Sequence, residues 1–102
     1  MTLATFVSSL PKKIYKILPL FEDARCGKQV FLSEYIDSLL IELRGAFETF
    51  PEMTESEMYI SVVNTVHYFH AYVDSMSLTV CRREVFKMMS MLRQMEGCVQ
   101  SG

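Results

Sequence analysis

Apolar residues along this chain recur at spacings of three and four, the signature of helices with one buried face. The clearest run is Leu32, Tyr35, Ile36, Leu39, Leu40, Leu43, Phe47 and Phe50. These positions form one continuous stripe, with Glu34, Asp37, Arg44 and Glu48 largely outside it. Ser33 is a candidate cap for this helix. Pro51 disfavours helical backbone at the residue before it, so the helix should end near Phe50.

Three more segments show the same period. The first runs from about Pro11 to Asp23, with Ile14, Tyr15, Leu18 and Phe21 on one face. Ser8 or Ser9 can cap it, and Pro11 suits its first turn, where the missing N–H has no helical partner anyway. Pro19 should kink or end it. Leu3, Phe6, Val7 and Leu10 precede it with helical spacing and suggest a short extra helix, and Gly27 marks the turn that follows. Another segment opens on Thr54-Glu55-Ser56-Glu57, which reads as a capping box, and should run to about Asp74. Its apolar stripe is Met58, Val62, Val66, Phe69, Val73 and Met76, widened by Ile60 and Val63. The last runs from about Thr79 to Glu96, with Cys81, Val85, Met88, Met89, Leu92 and Met95 inside and Arg82, Arg83, Lys87 and Arg93 largely outside. Gly97 is a natural stop, which leaves Cys98 to Gly102 as a frayed tail. No alternating period-2 segment competes with these helices. The pattern predicts one all-α domain over residues 1–102, either a compact four-helix bundle or an orthogonal helical domain.

Composition agrees with a single globular core. The chain has 102 residues, half of them apolar and 22% charged. The longest stretch without a formal charge, Met58 to Val73, is 16 residues and includes Asn64, His67 and His70. A spanning helix needs about 20 apolar residues, so no membrane partner is expected. An export signal places basic residues before an apolar run, whereas here Leu3 to Val7 precede Lys12, Lys13 and Lys16. Cys26, Cys81 and Cys98 are odd in number and widely spaced, without a Cys-x-x-Cys pair. These features point to the cytoplasm. Cys81 alone has a case for reactivity, since Arg82, Arg83 and a nearby helix start all favour a thiolate.

The net charge of −2 is unevenly distributed. Residues 1–30 carry five basic groups against two acids, a balance of +3. Residues 31–60 carry seven acids against Arg44 alone, a balance of −6. The remainder carries four basic groups against three acids, a balance of +1. A chain without a basic stripe is a poor nucleic-acid binder. Lys12, Lys13 and Lys16 read as a solvated helix face or, at most, a small phosphate footprint.

Candidate chemistry is sparse. His67 and His70 sit three apart with Asp74 four further on, a spacing that can place ligands on one helix face. A further ligand is not identifiable, and hydrogen-bonded imidazoles at a helix contact are the simpler reading. No phosphate loop, nucleophile elbow or His-Glu-x-x-His motif is present, so neither an enzyme nor a cofactor is expected.

Two surfaces stand out instead. The predicted third helix carries no charge between Glu57 and Asp74, and its second face reads Ser61, Asn64, Thr65, Tyr68, Tyr72 and Ser75. Neutral faces rich in tyrosine are typical of covered interfaces. The cover is another helix of this chain, a second copy in a homodimer, or a different protein. The other surface is the acidic block of Glu34, Asp37, Glu42, Glu48, Glu52, Glu55 and Glu57, a solvated face or a docking field for a basic partner. Met91 lies furthest from the centre of the last helix's methionine seam and is placed to reach a partner. In size, mild acidity and lack of a catalytic motif the chain resembles the broad class of microbial inhibitors, including immunity proteins and phage anti-defence proteins. The expected function is therefore binding another protein, through Glu34, Asp37, Glu48, Asn64, Tyr68 and Tyr72. The alternative is a self-associating assembly subunit or secretion chaperone.

Overall fold

The computed structural model describes residues 2–28 and 31–101, the last three by backbone alone. Five α-helical segments follow one another: α1 (Leu3–Tyr15), α2 (Ile17–Arg25), α3 (Leu32–Thr49), α4 (Glu57–Tyr72) and α5 (Leu78–Ser101). Short 3-10 turns at Pro51–Glu55 and Val73–Ser75 connect the last three, and no strand occurs among the described residues.

The first helix starts earlier than the proline positions imply. Thr2 caps α1 by accepting from the Thr5 N–H at 3.1 Å. The residues expected to form a short extra helix are its first turns, and Pro11 lies inside it rather than at its start. Pro11 has no N–H to give the Val7 carbonyl. Phe6, Val7, Leu10 and Ile14 are all buried, so packing holds the turns on both sides of it against one core. The break comes at Pro19, whose ring opposes the Tyr15 carbonyl where α1 ends. Lys16 is the joint, and Ile17, Leu18 and Phe21 carry the buried stripe on into α2. Gly27 closes α2 with φ +82°, a backbone that glycine adopts without Cβ strain.

Other boundaries differ in instructive ways. Ser33 lies within the first turn of α3, which begins after Phe31 without a side-chain cap. Thr54 does not form a capping box, because the Pro51–Glu55 turn takes its hydroxyl, which donates to the Pro51 carbonyl at 2.8 Å. Ser56 caps α4 instead, accepting from the Tyr59 N–H at 3.2 Å. Glu57 then becomes the first helical residue, where a negative charge suits the helix dipole. Ser77 accepts from the Val80 N–H at 3.2 Å at the start of α5. Gly97 does not stop α5: it lacks the positive φ of a C-terminal glycine, and the helix continues to Ser101. The expected frayed tail is therefore helical over residues 98–101, and Gly102 lies outside the described residues.

Pairings across the helices give the topology. Ser8 meets Glu96, Tyr15 meets Phe86 and Glu22 meets Arg82, so α1 and α2 run antiparallel to α5. Phe6 meets Phe50 and Lys13 meets Glu42, so α1 is antiparallel to α3. The Tyr59 hydroxyl donates to the Leu43 carbonyl, and His70 meets Asp37, so α4 is antiparallel to α3. The short connection over residues 73–77 returns α5 along α4. With α1 and α2 counted as one bent rod, this is an up-down-up-down four-helix bundle, 45 × 22 × 20 Å.

The core comprises Leu10, Ile14, Ile17, Ile36, Leu39, Leu43, Val62, Val66, Phe69, Val85, Met88 and Leu92, with other residues of the same stripes. One end of it is aromatic. Tyr59 is buried with Phe47 edge-on at 5.3 Å and Phe6 at 6.5 Å. Burial, and secondarily the Glu42 carboxylate, push the Tyr59 hydroxyl well above its ordinary pKa, so it remains a neutral donor.

Candidate functional site

The positions expected to meet a partner fall on two surfaces. Glu34, Asp37 and Glu48 all lie exposed on the outer side of α3. Between them is Ile41, which lies off the apolar stripe of α3 and is 65% exposed. Asp37 stands four residues before Ile41 and Arg44 three after, with Glu34 and Glu48 one further turn out at either end. This is an apolar centre in a mainly acidic rim. Glu42, on the inner edge of the acidic block, is already engaged by Lys13 of α1.

Asn64, Tyr68 and Tyr72 form a line along α4 at four-residue spacing, and all three are exposed. Tyr68 is 45% and Tyr72 55% exposed, with ring centroids 5.0 Å apart. Among the described residues no helix covers them fully, so internal packing leaves about half of each tyrosine exposed. Ser61 and Thr65 are half-buried at its edge, and the Thr65 hydroxyl donates to the Ser61 carbonyl at 2.8 Å. Around the α4 axis Tyr68 lies about 160° from His70, the residue that reaches α3. The tyrosine pair and the acidic rim are therefore separate patches, with Asn64, His67 and Ala71 on the ridge between them.

Other candidates resolve differently. His70 Nε2 lies 3.4 Å from Asp37 Oδ1, a link between α3 and α4 when the imidazole is protonated. Among the described residues no group of three or more His, Cys, Asp or Glu could hold a metal ion. Met91 is half-buried against the core, so it is less placed to reach a partner than its wheel position implied. Lys12, Lys13 and Lys16 line a groove of about 380 Å³ with Tyr35, Ser38, Leu39 and Glu42. Lys13 is taken by Glu42 and Lys16 lies 5.4 Å from the Tyr35 ring centroid. Lys12 and Lys13 also occupy the last turn of α1, where the helix dipole favours cations. The groove is thus accounted for without a phosphate. No helix among the described residues is long and apolar enough to cross a membrane.

Cys81 reverses its expectation. It is buried in the core, and burial followed by the nearby Glu22 carboxylate pushes its thiol from an ordinary 9.0 up to about 11. The neighbouring arginines point outward, with Arg82 on Glu22 at 3.5 Å and Arg83 on Glu84 at 3.6 Å. Cys26 and Cys98 are exposed. A thiol reagent at neutral pH should modify two cysteines at once and the third only on unfolding. Alkaline behaviour follows from the same burial. The unfolded thiol ionises near pH 9 while the folded one holds its proton, so stability should fall as pH rises from about 9 to about 11. Urea melts at pH 7, 9 and 10.5 check this, and rapid reaction of all three thiols in the folded protein would contradict it.

An exposed aromatic pair lies on the opposite side of the bundle, and it includes Tyr15, which the helical pattern places on the inner face with Ile14, Leu18 and Phe21. Tyr15 of α1 and Phe86 of α5 are about half exposed, with ring centroids 6.5 Å apart. With Leu18, Pro19, Glu22 and Arg82 they line a groove of about 340 Å³ beside the α1–α2 joint. Comparison with family models, curated proteins and solved structures finds no match to this chain.

Proposed function

We propose that this chain acts by binding another protein, one with a basic contact surface, and so inhibits or regulates it in the manner of immunity proteins and phage anti-defence proteins. The observation that carries this reading is the outer side of α3, where exposed Ile41 lies among Glu34, Asp37 and Glu48, with Arg44 the one cation beside it. Protein interfaces combine a small apolar centre with a polar rim, and a charged rim speeds and directs encounter. Asn64, Tyr68 and Tyr72 form a second, separate exposed patch on α4, whose tyrosines supply large, rigid contact area. No catalytic role is assigned to any residue. Affinity capture from the native source should retain a basic protein on the wild-type chain. Ile41→Arg should lose it while keeping the wild-type circular dichroism spectrum. Equal retention by both would overturn the reading.

A second reading, a self-associating subunit, is favoured by the exposed Tyr15–Phe86 pair on the side away from α3 and α4.

A further inference from the structure

The charges of this bundle are segregated by helix. The fully exposed charged residues of α5 are Arg82, Arg83, Lys87 and Arg93, all cations, while its two carboxylates, Glu84 and Glu96, are half-buried and engaged by Arg83 and Ser8. On α3 they are Glu34, Asp37, Arg44 and Glu48, three anions and one cation. Each helix also carries one strongly exposed apolar residue within its charged face: Ile41 on α3 and Phe86 on α5, at 65% and 52%.

The registers match. Asp37, Ile41 and Glu48 follow a spacing of four and then seven. Arg82, Phe86 and Arg93 follow the same spacing. In both helices the flanking charges lie about 16 Å apart with the apolar residue at the same point between them. Small residues line both tracks, Ser38 and Gly45 on α3 and Ser90 on α5, and permit close approach. The two helices also run in the same direction, as alternate members of an up-down-up-down bundle. Their levels correspond, because α1 places Lys13 beside Glu42 and Tyr15 beside Phe86.

We infer that the Tyr15–Phe86 groove is a docking site for a second copy of this chain. Ile41 of the second copy seats against Phe86, and its Asp37 and Glu48 meet Arg82 and Arg93. The contact is head-to-tail: each copy offers α3 to one neighbour and the groove to another, so it propagates or closes into a ring. Because α3 and α5 are parallel and level, a sideways shift with little rotation brings them together. The present partners of these charges are exposed and weak, Asp37 with His70 at 3.4 Å and Arg82 with Glu22 at 3.5 Å, so exchange costs little.

This inference deepens the self-association reading and gives it a geometry. A copy on α3 also excludes the basic foreign partner from the same face. The test is sedimentation of the purified chain at rising concentration, in low and high salt. The mass should rise above 11.8 kDa with concentration, and association should weaken about tenfold or more in 1 M salt. Ile41→Arg and Phe86→Arg, each checked for folding by circular dichroism, should both be monomeric alone. Mixed, they should form a 1:1 dimer and nothing larger, because each retains the face that the other lacks. A wild-type chain that remains monomeric overturns self-association itself. Association that survives either substitution, or a mixture that stays monomeric, overturns the α3-to-α5 contact while leaving self-association standing.

Discussion

Phe69→Ala is expected to destabilise the protein by about 3–5 kcal/mol, the range for removing a buried phenylalanine. Phe69 is fully buried on the inner face of α4. The substitution removes a large apolar side chain and leaves a cavity that the helices around it refill only in part. A domain of this size has about 5–15 kcal/mol of stability in all, so the variant should be partly unfolded at modest urea. The neighbouring Tyr68, which is exposed, should tolerate alanine with a change of about 0.5 kcal/mol or less. That contrast between adjacent residues tests the rotational setting of α4. Equal effects at 68 and 69 would mean that the helix is turned differently.

Leu39→Ala carries the second large effect, about 2–5 kcal/mol. Leu39 is buried near the middle of α3, between Ile36 and Leu43, and borders the groove under Tyr35. Tyr35, half-buried, lines the same groove and is fixed by its hydroxyl, which donates to the Lys13 carbonyl at 2.6 Å. The surroundings therefore have limited freedom to collapse. A loss below about 1 kcal/mol in urea melts would show that the stripe does not face the core.

The stripe from Leu32 to Leu43 was legible because burial on one helix face leaves a periodic record, and those residues are buried apart from Tyr35, which is half-buried. Pro19 was legible for a local reason, its ring against the preceding turn. Pro11 was not, because the packing of Phe6, Val7, Leu10 and Ile14 outweighs the lost hydrogen bond. The α4 start was misplaced by two residues because Thr54 and Ser56 are chemically equivalent caps. The choice between them was made by a 3-10 turn that buries Met53. Gly97 looked like a stop, yet glycine ends a helix only where the backbone turns left-handed, and residue sequence does not record that.

The candidate site was legible by half. Glu34, Asp37 and Glu48 stood out by charge, and Tyr68 and Tyr72 by the absence of charge around them. Ile41 and Phe86 did not stand out, because a single apolar residue off the stripe carries no pattern of its own, and Tyr15 was placed on the inner face of the first helix although it lies at the edge of that face and is half exposed. Their meaning comes from neighbours in other helices: Tyr15 and Phe86, far apart in sequence, meet only when α1 and α5 lie antiparallel.

The measurement that bears most directly on the acidic α3 face is the association rate with the captured partner at 0.1 M and 1 M salt, where the Debye length falls from about 10 Å to about 3 Å. The wild-type chain should associate about tenfold or more slowly at high salt, and Glu34→Lys with Asp37→Lys and Glu48→Lys should slow it further at low salt. Association that is independent of salt and unchanged by the charge reversal would contradict the account.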